Sequence, residues 1–216
     1  MREVFQSELK EVQDRLVEIA SDVTNVMKNA TLAFTTSEVS VADQAIASAD
    51  AISEKALSLD EMVIRILARQ SPVARDLRVL VSALRMSASL ERMGALASHI
   101  AQIARFRFPG SAIPDVLKPV FEEMGKLDVA LAKKVTKLLA NPDVDVARAI
   151  QAEDERVDEL HRGVFDTVLA PSWKENAMFT VDVTLASRYH ERFADHVVDI
   201  SSKVSYLSTG EWSDQN

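Results

Sequence analysis

Glu191, Asp195 and Asp199 follow one another at four-residue intervals, a spacing that stacks side chains along one side of a helix. Asp154 and Asp158 repeat the interval earlier in the chain. Like charges so placed repel, and two facing acidic ridges would repel more strongly or raise the carboxyl pKa values. A hard cation with oxygen ligands relieves that repulsion. Mg2+, Mn2+, Ca2+ or iron suits such donors, and Zn2+ suits them if a histidine joins. His161 and His196 are near in sequence but not clearly on that side. A plainer reading fits the same residues: a solvated charged face balanced by Arg156, Arg188, Arg192 or Lys203.

The acidic run belongs to a repeated motif. Leu-Glu-Arg-Met-Gly-Ala-Leu-Ala-Ser-His-Ile (90–100) returns as His-Glu-Arg-Phe-Ala-Asp-His-Val-Val-Asp-Ile (190–200), with Glu91, Arg92 and Ile100 recurring as Glu191, Arg192 and Ile200. Ala95 replaces Asp195 in the first copy, and His99 replaces Asp199. Chain folding sets the heights. If 144–210 turns back near residue 174, Asp154 pairs with Asp195 and Asp158 with Glu191, because both pairs share the midpoint 174.5. In the first half Asp50 with Ala95, and Glu54 with Glu91, share the midpoint 72.5. A four-carboxylate site is therefore expected in the second half. A depleted one of Asp50, Glu54, Glu91 and His99 is expected in the first.

Long amphipathic helices must carry these residues. Apolar positions such as Leu9, Val12, Leu16, Ile19 and Val23 recur at helical spacing. Breakers fall at Thr35-Thr36-Ser37, Ser71-Pro72, Phe108-Pro109-Gly110, Asn141-Pro142-Asp143, Pro171-Ser172 and Thr209-Gly210, with Pro114 and Pro119 near the start of a fourth helix. Ser71-Pro72 reads as an N-cap followed by proline at the first helical position. The pattern predicts an all-α fold of six helices in two tandem antiparallel three-helix bundles, residues 1–110 and 111–216, related by internal duplication. The 216 residues are 47% hydrophobic with only 5 Gly and 6 Pro, which agrees with that class. A formal charge of −8 disfavours a nucleic-acid partner. No apolar run is long enough to cross a bilayer, no signal-peptide region opens the chain, and there is no cysteine. A cytoplasmic protein is expected.

The Glu-Arg-Phe-Ala-Asp-His-Val-Val-Asp-Ile run, continued by Val204-Ser-Tyr206-Leu-Ser-Thr-Gly210-Glu211, resembles the C-terminal signature of the PhoU family of phosphate-transport and phosphate-signalling regulators. Asp76-Leu77-Arg78 before Leu90-Glu91-Arg92 is similar to the family's first-half pattern, and Asp154 with Asp158 to its fifth-helix motif. The resemblance covers the whole chain. The Met93-Gly94-Ala95-Leu96 form looks like that of actinobacterial members. The resemblance implies a homodimeric, non-enzymatic negative regulator of the phosphate-starvation response. Its implied partners are the sensor histidine kinase of the phosphate two-component system and the ATPase subunit of the phosphate ABC transporter, so that membranes are met only through partners. It also implies metal at Asp154, Asp158, Glu191 and Asp195, with Asp199, and a first site at Asp50, Glu54 and Glu91.

Nothing in the sequence resembles a nucleophile–base pair or a phosphate loop. No basic pocket is evident, so phosphate is expected to be sensed through partners. The enzymatic alternative is an all-α metal-dependent nucleotide pyrophosphatase, which would need cationic or aromatic residues beside the carboxylates. A ferritin-like di-iron oxidase would need Glu-x-x-His motifs, which are absent. Phe106 and Phe108, with nearby Arg105 and Arg107, read as a joint between the halves in preference to a small docking patch, Met86 and Met93 as core, and Arg92 and Arg192 as braces for the ridges. Trp173 suits either a partner anchor or packing at a hairpin tip.

Overall fold

The computed structural model describes residues 2–209, and over these the chain is six α-helices: α1 (Arg2–Thr36), α2 (Val39–Gln70), α3 (Ala74–Arg107), α4 (Lys118–Ala140), α5 (Val144–Leu169) and α6 (Ala177–Thr209). Gly210 and Glu211 of the C-terminal signature lie outside the described residues. Local chemistry sets most boundaries. Pro119 opens α4, the Asp143 carboxylate accepts from the Asp145 and Val146 amides to cap α5, and the Asn176 side chain accepts from Phe179 N at 3.0 Å to cap α6. Ser71 differs from its expected part. It ends α2 in the left-handed region (φ 43°), and α3 begins only at Ala74, after Pro72 and Val73. Proline biases the residue before it away from helix, so Ser71 ends one helix rather than starting the next.

Helices α1, α2 and α3 pack on one another, as do α4, α5 and α6, while α1 lies on α4 and α3 on α6. One hydrophobic cluster runs through all six. Helices α2 and α5 form the outer flanks. The α3–α6 contacts join Ser89 to Asp199, His99 to Tyr189 and Arg107 to Asp182, pairs whose numbers total 288 or 289. These two helices therefore run antiparallel and cross near Gly94 and Ala194.

The buried positions give the internal register. Val12, Leu16, Ile19, Val23, Ala30 and Phe34 of α1 correspond to Leu117, Phe121, Met124, Asp128, Val135 and Leu139 of α4, each 105 residues later. Ala45, Ile52, Leu59 and Val63 of α2 correspond in the same way to Ile150, Val157, Val164 and Val168 of α5. For α3 and α6 the offset is 100, as in Ser87/Ser187, Leu90/His190, Met93/Phe193 and Ile100/Ile200. The second half has thus lost five residues between its second and third helices. With an offset of 100, the α3–α6 crossing maps onto itself when the halves are exchanged, the signature of an approximate two-fold.

Several side chains depart from their expected roles. Phe106 is 79% exposed and Phe108 53%, so neither forms the joint between halves. Arg107 between them does, through its two hydrogen bonds to Asp182. Trp173 is half-buried at the α5–α6 tip, where its indole N–H donates to Thr180 Oγ1 at 2.9 Å. Met86 and Met93 are buried, as their spacing suggests.

Candidate metal centre

Four carboxylates approach one another between α5 and α6. Burial pushes the Asp154 carboxyl up to about 6, reinforced by the charges of Asp158, Asp195 and Glu191, and by Asp128 behind them. Glu191 is raised as well, by burial and then by Asp195, against the opposing charge of Arg188, which donates a hydrogen bond to it. One buried oxygen of each, Asp154 Oδ1 and Glu191 Oε2, has no hydrogen-bond partner. Buried polar atoms are nearly always paired, so these two acceptors stand out, although Asp60 Oδ1, His99 Nδ1, Asp128 Oδ1, Glu153 Oε2 and His190 Nε2 also lack partners. The hairpin arithmetic places the cluster correctly: His161 Nδ1 lies 3.0 Å from Ser187 Oγ, a pair centred on residue 174.

Asp199 does not join them. It accepts from Ser89 Oγ at 2.7 Å and from the Lys203 ammonium, facing α3 instead of α5. Burial would raise its carboxyl, but the Lys203 and Ser89 hydrogen bonds outweigh that and hold it below the ordinary carboxylate range. The reason is rotational. Eight residues of helix overrun two whole turns by about 80°, so the third member of an i, i+4, i+8 ridge leaves the face of the first.

The first-half residues are scattered. Asp50, Glu54 and Glu91 are exposed, and His99 turns toward Tyr189 of α6 with ring centroids 5.1 Å apart. Burial, followed by the Arg92 charge, lowers the His99 pKa. The offset of 105 explains Asp50 and Glu54, because the true counterparts of Asp154 and Asp158 are Ala49 and Ser53. Contacts agree: Ser87 Oγ reaches the Ala56 carbonyl where Ser187 meets His161. Residues 50 and 54 have the right height but sit one position, about 100°, around the helix.

Lys134 pairs with Glu153, and Arg156 with Glu123 and Glu159, so part of the acidic surface of α5 is a balanced charged face. Arg92 and Arg192 make no ion pair among the described residues; Arg192 helps to lower the Glu191 pKa, and both arginines help to lower that of His196. Behind the cluster lies a pair that spacing alone did not single out. Asp128 Oδ2 and His190 Nδ1 are 2.6 Å apart, both side chains fully buried. Burial pushes the Asp128 carboxyl up to about 6 against the opposing pull of His190. A signal was available, since Asp128 interrupts the apolar stripe Phe121, Met124, Leu131, Val135 and His190 interrupts Ala186, Phe193, Val197.

The donors of the second half are all hard oxygens, a type that suits a hard cation, and two of the four carry an unpaired buried atom. Among the described residues no group of three or more His, Asp or Glu side chains stands close enough to hold a metal ion.

Comparison with known proteins matches the duplication. A family model described as "PhoU domain" matches residues 16–104 and again 121–204, offset by 105 where the matches begin and 100 where they end. The "Phosphate-specific transport system accessory protein PhoU homolog 2" of Mycobacterium tuberculosis is 38% identical over 210 residues, 97% of this chain and 99% of its own length. Homolog 1 of Mycobacterium leprae is 35% identical over 216 residues, 100% of this chain and 97% of its own. The crystal structure of PhoU from Pseudomonas aeruginosa shares the fold with a TM-score of 0.86 at 25% identity, covering 96% of this chain and 100% of that one. That of the phosphate transport system regulatory protein PhoU from Streptococcus pneumoniae does so at 0.85 and 23% identity, covering 97% and 99%.

Proposed function

Because the chain belongs to the PhoU family, we propose that it works as that family is expected to: as a phosphate-transport accessory protein without turnover that represses the phosphate-starvation response. In this reading it couples the ATPase subunit of the high-affinity phosphate ABC transporter to the sensor histidine kinase. It acts as a homodimer at the cytoplasmic side of the membrane. No helix among the described residues is long and apolar enough to cross a membrane.

The observation that carries the reading is the match of both halves to one domain model, over residues 16–104 and 121–204. The acidic cluster adds a cation. Asp154, Asp158, Glu191 and Asp195 would hold it, and the ion would supply the positive charge that this part of the protein lacks. Around it the chain's own residues do the holding: Arg188 fixes Glu191, and the Asp128–His190 pair backs the site from the core. Deleting the gene, together with any second copy, is expected to leave alkaline phosphatase expressed in high-phosphate medium. Phosphatase that stays repressed in such a strain would refute the regulatory reading.

A further inference from the structure

A groove of about 250 Å3 opens beside the first turns of α3, lined by Leu77, Arg78, Val81, Ser82 and Arg85 and closed on one side by Tyr206 of α6. Residues 78, 82 and 85 share a helix face, with 77 and 81 next to them. The apolar pair is wet: Leu77 is 41% exposed and Val81 40%. Charge at the groove runs against the trend of the chain: Arg78 and Arg85 line it and no acid does, in a protein of net charge −8. Arg78 and Arg85 have no ion pair among the described residues, whereas Arg15, Arg105, Arg156 and Arg188 all do.

The other half of the molecule shows what the same position looks like when it is filled. Exchange of the halves carries Ser82 onto Asp182, and the end of α6 at Leu207 onto Arg107. There the Arg107 guanidinium closes on Asp182 with bonds of 2.5 and 2.9 Å, and Asp182 is buried. An arginine–carboxylate pair thus seals the second-half position from within. In the first half both members of that pair are missing, with Ser82 and Leu207 in their places, and Arg78 and Arg85 at the rim stand where the second half has Met178 and Leu185.

We propose that this groove seats an acidic amphipathic helix from a partner protein. Its carboxylates pair with Arg78 and Arg85 in the forked geometry that arginine favours, and its apolar ridge covers Leu77 and Val81. An inorganic anion would satisfy the arginines but leave the leucine and valine in water. The inference stands apart from the regulatory reading and needs neither the cation nor the kinase.

A displayed library of random 16-residue peptides, selected on the full-length protein and counter-selected on the Arg78→Glu/Arg85→Glu variant, tests it. Enriched peptides are expected to carry Asp or Glu flanking apolar residues at i and i+4. They should bind Arg78→Gln/Arg85→Gln and Leu77→Ser each about tenfold more weakly than wild type, and should weaken as salt rises. Three results would overturn the proposal. One is no enrichment, or enrichment of sequences without acids. Another is peptides indifferent to these variants. The third is displacement by submillimolar inorganic phosphate with no effect of Leu77→Ser, which would make this a small-anion site.

Discussion

Val23 and Leu90 are fully buried in the first half, and at the corresponding positions the second half carries Asp128 and His190, just as deeply buried. Ala49, Ser53 and Ala95 of the first half correspond likewise to Asp154, Asp158 and Asp195. The scaffold is the same in both: matching burial, matching helix order, and a crossing that maps onto itself. What differs is charge. One half spends its interior on packing alone, while the other introduces carboxylates whose energetic cost a single-residue exchange would remove. A duplicated fold of this kind lets one copy carry charge where the other carries apolar or small side chains, and the counterpart residue at each position names the exchange that tests the difference.

The largest effect is expected at the buried pair. Asp128→Val places the first half's Val23 side chain in the second half but leaves His190 without its partner. Leaving a fully buried hydrogen-bonding group without its carboxylate partner in this way costs about 3 kcal/mol, measurable by denaturant unfolding. Adding His190→Leu completes the exchange to the Val23–Leu90 arrangement. The double variant is expected to recover to within about 1 kcal/mol of wild type or to exceed it, because an apolar pair of similar volume often replaces a buried ionic one without loss. A double variant as unstable as the single one would mean that the two cores no longer share a shape, and the comparison would fail at its strongest point.

A smaller effect probes the joints. Gly125 of α4 corresponds to Ala20 of α1, but a Cβ built on Gly125 would lie 2.8 Å from Thr31 Cβ, with the Thr31 hydroxyl and methyl closer still. Gly125→Ala is therefore expected to cost about 1–3 kcal/mol through overpacking at the α1–α4 contact, and Thr31→Ala to restore part of it. Gly94→Ala is the reciprocal exchange, since Ala194 is its counterpart. Its new methyl meets Ile52, at 3.2 Å from Cγ2 and 3.3 Å from Cδ1, a milder overlap than at Gly125 and so a smaller expected cost. Equal losses at 94 and 125 would show that the tight approach between the halves is no tighter than the packing within one.

Much of this could be read from the sequence. Six helices follow from breakers and 3.6-residue periodicity, and the height of each hairpin from the midpoint of its turn. Those two quantities bring Asp154, Asp158, Glu191 and Asp195 together. Azimuth is harder, because an error of one residue leaves height nearly unchanged yet turns a side chain by about 100°. Asp50 and Glu54 fail for that reason, and Asp199 fails by the slower drift of a four-residue ridge. Asp128 and His190 are hidden differently: each is one polar residue in an apolar stripe, and only the crossing of α4 with α6 makes them partners. The free arginines of α3 were visible singly, but their groove needs Tyr206 from a helix more than a hundred residues away.

The smallest exchange concerns the acidic cluster itself. Asp154→Ala imposes the first half's Ala49. The Asp154 carboxyl titrates near 6 in the folded protein against 3.8 as its ordinary value, so the native state holds a proton that the unfolded chain has released between those values. Its stabilising contribution is complete below pH 3.8 and is lost as pH rises through 6. Above pH 7 the charged, half-buried group is a net cost, which solvent screening limits to about 1 kcal/mol. The variant is expected to melt a few degrees higher than wild type at pH 7.5, by about 2–4 °C for each kcal/mol in a chain of this size. Its stability should also fall less between pH 4 and pH 6, where Asp128 still contributes part of the slope. Saturating Mn2+ then separates the causes. If the cluster holds a cation, Mn2+ raises the melting temperature of wild type and closes the gap to Asp154→Ala. An equal rise in both proteins would place the ion elsewhere and leave the second half's carboxylates as a charge imbalance that nothing relieves.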